Sequence, residues 1–114
     1  MTDKELSRLK YLNIETKKLQ EELDELEYSA DVTSAKDLKA IIQLNLQKIQ
    51  IERARLERYI ENINDPETRL IFRLRHINGM TWGKIGAELY MSHTSAFRKH
   101  ERYLKQANNR GIRK

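Results

Sequence analysis

Arg98, Lys99, Arg102 and Lys105 fall within eight residues of one another in the stretch "SHTSAFRKHERYLK", with His93, Thr94 and Ser95 just before them. Cationic groups packed this densely beside hydroxyls and an imidazole suit an anionic polymer. Arg presents a planar fork that matches paired acceptors, Lys presents a point charge, and Ser and Thr add neutral donors. His93 and His100 do not amount to a metal site, because their spacing supplies two neutral ligands with no third in view. The absence of Cys rules out both a thiolate site and a disulfide framework. No acid/base pair, nucleophile, phosphate-binding glycine loop or metal cluster stands at usable spacing, so neither an enzyme nor a cofactor is expected.

For these cations to act together, a helix must carry them on one face. Thr81 is a capping residue for a short helix from Trp82 to about Leu89, with Trp82, Ile85, Gly86 and Leu89 facing inward, and Ser92 caps a longer helix after it. On a helical wheel of that last helix, Ala96, His100, Tyr103, Leu104 and Ala107 share one side, and Thr94, Ser95, Arg98, Arg102 and Lys105 share the other. Arg98 is placed to reach O6 and N7 of guanine, while Lys99, Arg102 and Lys105 are better placed for phosphates. His100 is expected to be a partly buried hydrogen-bonding residue, Trp82 a core residue, and Phe97 lies between the two faces.

Upstream, "NDPETR" marks a helix start: Asp65 caps, Pro66 sits in the first turn where its missing N–H costs nothing, and Glu67 suits the positive end of the helix dipole. Leu70, Ile71, Leu74 and Ile77 line one face of this helix, which stops at "NG", where Gly79 takes the left-handed conformation. Three short helices with a basic exposed face on the last form a helix-turn-helix layout.

The N-terminal half reads differently. Leu9, Leu12, Thr16, Leu19, Leu23 and Leu26 alternate at spacings of three and four, an a/d seam on a helix over roughly residues 4 to 28 that is about 37 Å long. A second stripe comprises Leu38, Ile42, Leu46, Ile49, Leu56, Ile60 and Ile63, with Arg53 where an apolar residue would stand. The two stripes are out of phase across Ser29 to Ser34, so two helices are expected, with Ser34 and Asp37 as a capping pair for the second. The stripes bury each other either in an antiparallel hairpin or between the chains of a homodimer. The acidic run "EELDELE" is read as a solvated face. The fold expected is therefore all-α: an N-terminal long helical hairpin or coiled coil over residues 1 to 63, then a three-helix helix-turn-helix domain over 64 to 114.

Composition agrees with this reading. With 34% charged and 7% aromatic residues, four Gly and one Pro, the chain of 114 residues is helix-rich and poor in loops. Its net charge of +5 divides into −2 over residues 1 to 63 and +7 over 64 to 114, the asymmetry expected when one half meets a polyanion. The N-terminus, MTDKELSRLK, has no apolar core of a signal sequence, and no apolar run approaches the roughly 20 residues that span a bilayer. A cytoplasmic protein without a membrane partner is expected.

"INGMTWGKIGAELYMSHTSAFRKHERYL" resembles region 4 of bacterial sigma factors, the part that reads the −35 promoter element and docks on RNA polymerase. The matching positions are Arg75 and Gly79, Thr81-Trp82, Ile85-Gly86, Leu89, Ser92, and His100 to Leu104. With "DPETRLIFRLR" and the helical N-terminal half included, nearly the whole chain resembles the short sigma-like regulators of phages and integrative elements. The resemblance implies that His93, Thr94 and Arg98 face base edges and that Ser95, Lys99, Arg102, Thr81 and Lys84 lie nearer phosphates. Tyr90 stands where the family usually has Gly, which predicts a turn of different conformation. Gly86 replaces Ala, Ala96 is smaller than the usual Val or Ile, and Tyr103 replaces Ala. Nothing resembles the promoter-melting region of a full sigma factor, so an accessory activator or adaptor is implied.

Two functions follow. One is a sequence-specific regulator that binds double-stranded DNA at promoters with host RNA polymerase as a partner, dimerising or contacting polymerase through the N-terminal helices. The other is a coiled-coil adaptor for phage assembly or packaging that meets DNA without reading sequence, or meets another protein.

Overall fold

A computed structural model describes residues 1 to 28 and 32 to 112, with side chains through residue 108. The described residues are helical apart from short connections, with no strand among them. Helix α1 spans Asp3–Tyr28, α2 Val32–Glu61, α3 Pro66–Phe72, α4 Trp82–Leu89 and α5 His93–Ile112. The predicted break in phase lies largely on residues 29 to 31, outside the described residues. α2 already includes Val32, so Ser34 and Asp37 lie within its opening turns.

The chain forms two compact units, Arg8–Ala54 and a second that joins Met1–Ser7 to Arg55–Lys114. In the first, α1 and α2 run antiparallel: Leu19, Leu23 and Leu26 pack with Ala35, Leu38 and Ile42, Glu15 accepts a 2.6 Å hydrogen bond from Asn45 Nδ2, and Lys39 pairs with Glu27 at 2.9 Å. The leucine seam is thus buried within one chain. Its path along α2 differs from the expected one. The buried line passes through Ala35, Leu38, Ile42 and Asn45, leaving Leu46 41% exposed. Heptad geometry explains the shift, because steps of three and four from Leu38 land on Asn45 and Glu52 rather than on Leu46 and Arg53. Position on the helix outweighs residue type there.

The second unit is built around Leu6, Leu56, Ile60, Ile63, Ile71, Phe72, Ile85, Ala96 and Leu104, all buried. Asp65 caps α3 as expected: its Oδ2 accepts from the Thr68 amide at 3.1 Å and the Thr68 hydroxyl at 2.6 Å. Those bonds hold the Asp65 carboxyl below its ordinary range. The inward face of α3 is Thr68, Ile71 and Phe72, so Leu70, expected inside, is exposed. Beyond Phe72 the helix widens into a single π turn, Arg73–Ile77, in which the Asn78 amide donates to the Arg73 carbonyl at 3.1 Å. Gly79 follows at φ 69°, in the left-handed region expected of it.

Candidate nucleic-acid interface

The α4–α5 connection sets how α5 is presented. Thr81 caps α4 by accepting from the Lys84 amide at 3.2 Å, and Ser92 opens α5 by accepting from the Ser95 amide at 3.0 Å. Between them Tyr90 takes φ 55° and ψ 42°, while the amides of Tyr90 and Met91 both return to the Gly86 carbonyl. The turn is therefore left-handed despite the missing glycine, contrary to the expectation from residue type. Bending there costs on the order of 1 to 3 kcal/mol, and the packing beneath offsets it. The Tyr90 side chain contributes nothing to that packing, being 98% exposed.

Gly86 shows how close that packing is. A Cβ on Gly86 would meet the Met91 carbonyl oxygen at 2.6 Å and the His93 amide nitrogen at 3.0 Å, so only glycine lets the turn lie flat on α4. Ile85 and Ala96 then meet Ile71 in one buried cluster, with Leu74, Met80, Trp82, Leu89 and Met91 around it.

On α5 the two faces separate as the wheel predicts. Ala96, His100 and Leu104 are buried, whereas His93, Thr94, Ser95, Arg98, Arg102 and Lys105 are exposed. Thr81 and Lys84 are exposed at the start of α4. Two candidates are committed locally. The Ser95 hydroxyl accepts from Ser92 Oγ at 2.9 Å, and Lys99, half-buried, forms an ion pair with Glu67 of α3. Glu101, the sole carboxylate on α5, lies at 3.2 Å from His100 Nδ1 and lines a cleft with Asp3, Arg102 and Lys105. The exposed face is thus cationic at Arg98, while Arg102 and Lys105 share their cleft with the carboxylates of Asp3 and Glu101.

Behind this face lies a group that residue types alone did not reveal. His76 Nε2 and His100 Nε2 are 2.8 Å apart, and Phe72 stacks on His100 with ring centroids 4.3 Å apart at 20°. Trp82 meets His100 edge-on at 5.0 Å and Phe97 at 5.4 Å, and the Arg75 guanidinium covers the Trp82 ring at 4.8 Å. Arg75 also donates to the Met80 carbonyl at 2.9 Å, tying the π turn to the start of α4. Burial, reinforced by His100 and Arg75, pushes His76 down to about 3. Burial likewise lowers His100, with Glu101 opposing it. Both rings are therefore neutral at pH 7. If His100 Nδ1–H donates to Glu101, its Nε2 is the acceptor and His76 Nε2–H the donor of the bond between them. The pair was hidden in the sequence because the π turn adds a residue and so rotates His76 out of the α-helical phase.

Among the described residues, no group of three or more His, Asp or Glu side chains is placed to hold a metal ion, and no helix is long and apolar enough to cross a membrane. No protein-family model, curated protein or solved structure matches the chain.

Proposed function

We propose that this chain is a sequence-specific DNA-binding transcription regulator of the phage or mobile-element kind, acting at promoters in the cytoplasm with host RNA polymerase, and that it is not an enzyme. In this reading α4 and α5 are a helix-turn-helix and α5 lies in the major groove. The supporting observation is the open line of Thr94, Arg98, Arg102 and Lys105 along a helix whose opposite side is locked by Ala96, His100 and Leu104. A helix anchored so firmly on one side holds its arginines in a fixed direction, which base readout requires and nonspecific charge attraction does not. Thr81 and Lys84, at the start of α4, reach phosphates beside the groove. His93 and Thr94 open α5 and meet base edges with Arg98, while Lys99 keeps its bond to Glu67 and contributes its charge from the flank.

The resemblance to sigma region 4 adds the promoter and the polymerase to this reading. A coiled-coil adaptor is the second reading, favoured by the apolar stripe that the hairpin leaves exposed. Selection of bound sites from random duplex DNA separates the two. A regulator yields one preferred site, bound on the order of a thousandfold or more tighter than random duplex at the same salt. Equal affinity for every duplex, with a steep salt dependence, rejects sequence readout and leaves the adaptor.

A further inference from the structure

The middle of α2, "AIIQLNLQKIQI" over residues 40 to 51, contains one charged residue, Lys48, in a chain that is 34% charged. A helix apolar on more than one face needs more than one neighbour. One face is satisfied by α1, through Leu38, Ile42 and Asn45. Beside it runs a second line, Ile41, Leu44, Lys48 and Ile51, spaced three, four and three. Its apolar members are 48%, 52% and 66% exposed. We propose that this second stripe of α2 is where a second copy of the chain docks, antiparallel, about a two-fold axis midway between Leu44 and Lys48.

The positions of the residues select that occupant. Ile41 and Ile51 are equidistant from the midpoint, as are Leu44 and Lys48, so reversing the helix sets Ile41 against Ile51 of the other copy and Leu44 against the aliphatic stem of Lys48. A surface that complements itself under a two-fold rotation is what an isologous dimer requires. Along the same line the flanking charges are Asp37 and Arg55, opposite in sign and equidistant from the midpoint, so reversing the helix brings unlike charges together. Exposed apolar area on the stripe is on the order of 300 Å² per copy, at the lower end of the largest patch an ordinary monomer carries. Doubled, the apolar contact is on the order of 600 Å², below the roughly 1,000 Å² of a stable specific interface, so the dimer is a weak one. Other exposed apolar residues of the hairpin do not extend it: Leu46 lies across the seam, and Tyr11 and Ile14 belong to α1. The inference uses nothing of the DNA-binding reading and stands or falls separately from it.

The full-length protein tests this without DNA. Sedimentation equilibrium is expected to show a monomer–dimer equilibrium in the micromolar range, and Leu44→Glu to abolish the dimer while far-UV circular dichroism and the melting curve stay unchanged. Because the chain has no cysteine, cross-linking with oxidised glutathione reports the register directly. The double variant Ile41→Cys/Ile51→Cys should form intermolecular disulfides, since those positions are about 15 Å apart along their own helix and meet only in the antiparallel dimer. Neither single variant should cross-link comparably. A wild-type chain that remains monomeric at the highest soluble concentration overturns the proposal. So does a dimer that survives Leu44→Glu, or single-cysteine variants that cross-link as well as the double one, since these would put the interface elsewhere or make it parallel.

Discussion

The hairpin of Arg8–Ala54 and the unit carrying α3, α4 and α5 are held by different kinds of core. In the hairpin a repeated aliphatic seam is interrupted by one buried amide, Asn45, bonded to Glu15. In the C-terminal unit the core is a non-repeating set of rings: Tyr59, Phe72, His76, Trp82, His100 and Tyr103 are linked by successive ring contacts. A repeated seam spreads its stabilisation over equivalent layers, so one defect costs one layer. An interlocking ring cluster has no equivalent layers, and a defect there alters how α5 is held. All three histidines of the chain lie at positions 76, 93 and 100, none in the hairpin. Acid sensitivity from imidazole therefore belongs to the C-terminal unit alone.

Phe72→Ala should break this contrast most severely. Phe72 is fully buried between His100 and Tyr103, and its truncation is expected to cost about 3 to 5 kcal/mol. Trp82, the single tryptophan, reports that loss by fluorescence during urea unfolding, while circular dichroism should retain the helix of the hairpin. Simultaneous loss of both signals would show that the two units do not unfold separately. Gly86→Ala comes next, at about 1 to 3 kcal/mol on the same probe, because the added methyl meets turn backbone and not a yielding side chain. If it is neutral, the turn does not lie as close to α4 as described.

The imidazole pair sharpens the comparison through pH. Both folded pKa values lie below the ordinary histidine value, so their contribution to stability is complete above the unfolded pKa near 6.5 and is lost as pH falls below it, for His76 down to about 3. Each buried imidazole adds a slope of up to about 1.4 kcal/mol per pH unit in that window. His76→Gln keeps a donor towards His100 and removes one titrating group, so the pH dependence reported by Trp82 should become shallower between pH 6 and 4. An unchanged slope would mean that His76 is not buried neutral. The smallest effect is expected in the hairpin: Asn45→Leu should change stability by less than about 1 kcal/mol, because an apolar side chain at a seam position compensates for the lost amide bond. Thermal melting followed by circular dichroism checks it, and a large loss would show that the Asn45–Glu15 bond is essential to the pairing.

The contrast also explains what could be read from the sequence. The seam of α1 was legible because period and residue type coincide, and the caps at Asp65, Thr81 and Ser92 were legible because capping is local chemistry. The exposed and buried faces of α5 followed from period alone. Residue type misleads at Asn45, which is polar at a seam position, and at Leu46, which is apolar beside the seam and exposed. Phe72 and the His76–His100 contact are hidden from sequence for a different reason. Both depend on where α3 and its π turn meet α5, and nothing in "RLRHI" signals the extra residue. Tyr90 shows tertiary packing overriding a local preference, since the close approach at Gly86 holds a left-handed residue that its type disfavours.

On the proposed reading, the outward face of α5 reads bases through Arg98 and attracts the backbone through Lys105. This division of roles is tested most directly by measuring, at one fixed salt concentration, the affinities of Arg98→Ala and Lys105→Ala for the selected site and for random duplex. Arg98→Ala should shrink the gap between the two by about 1 to 3 kcal/mol, and Lys105→Ala should weaken both equally and reduce the salt slope by about one. A full gap retained by Arg98→Ala would contradict the assignment of base readout to this face.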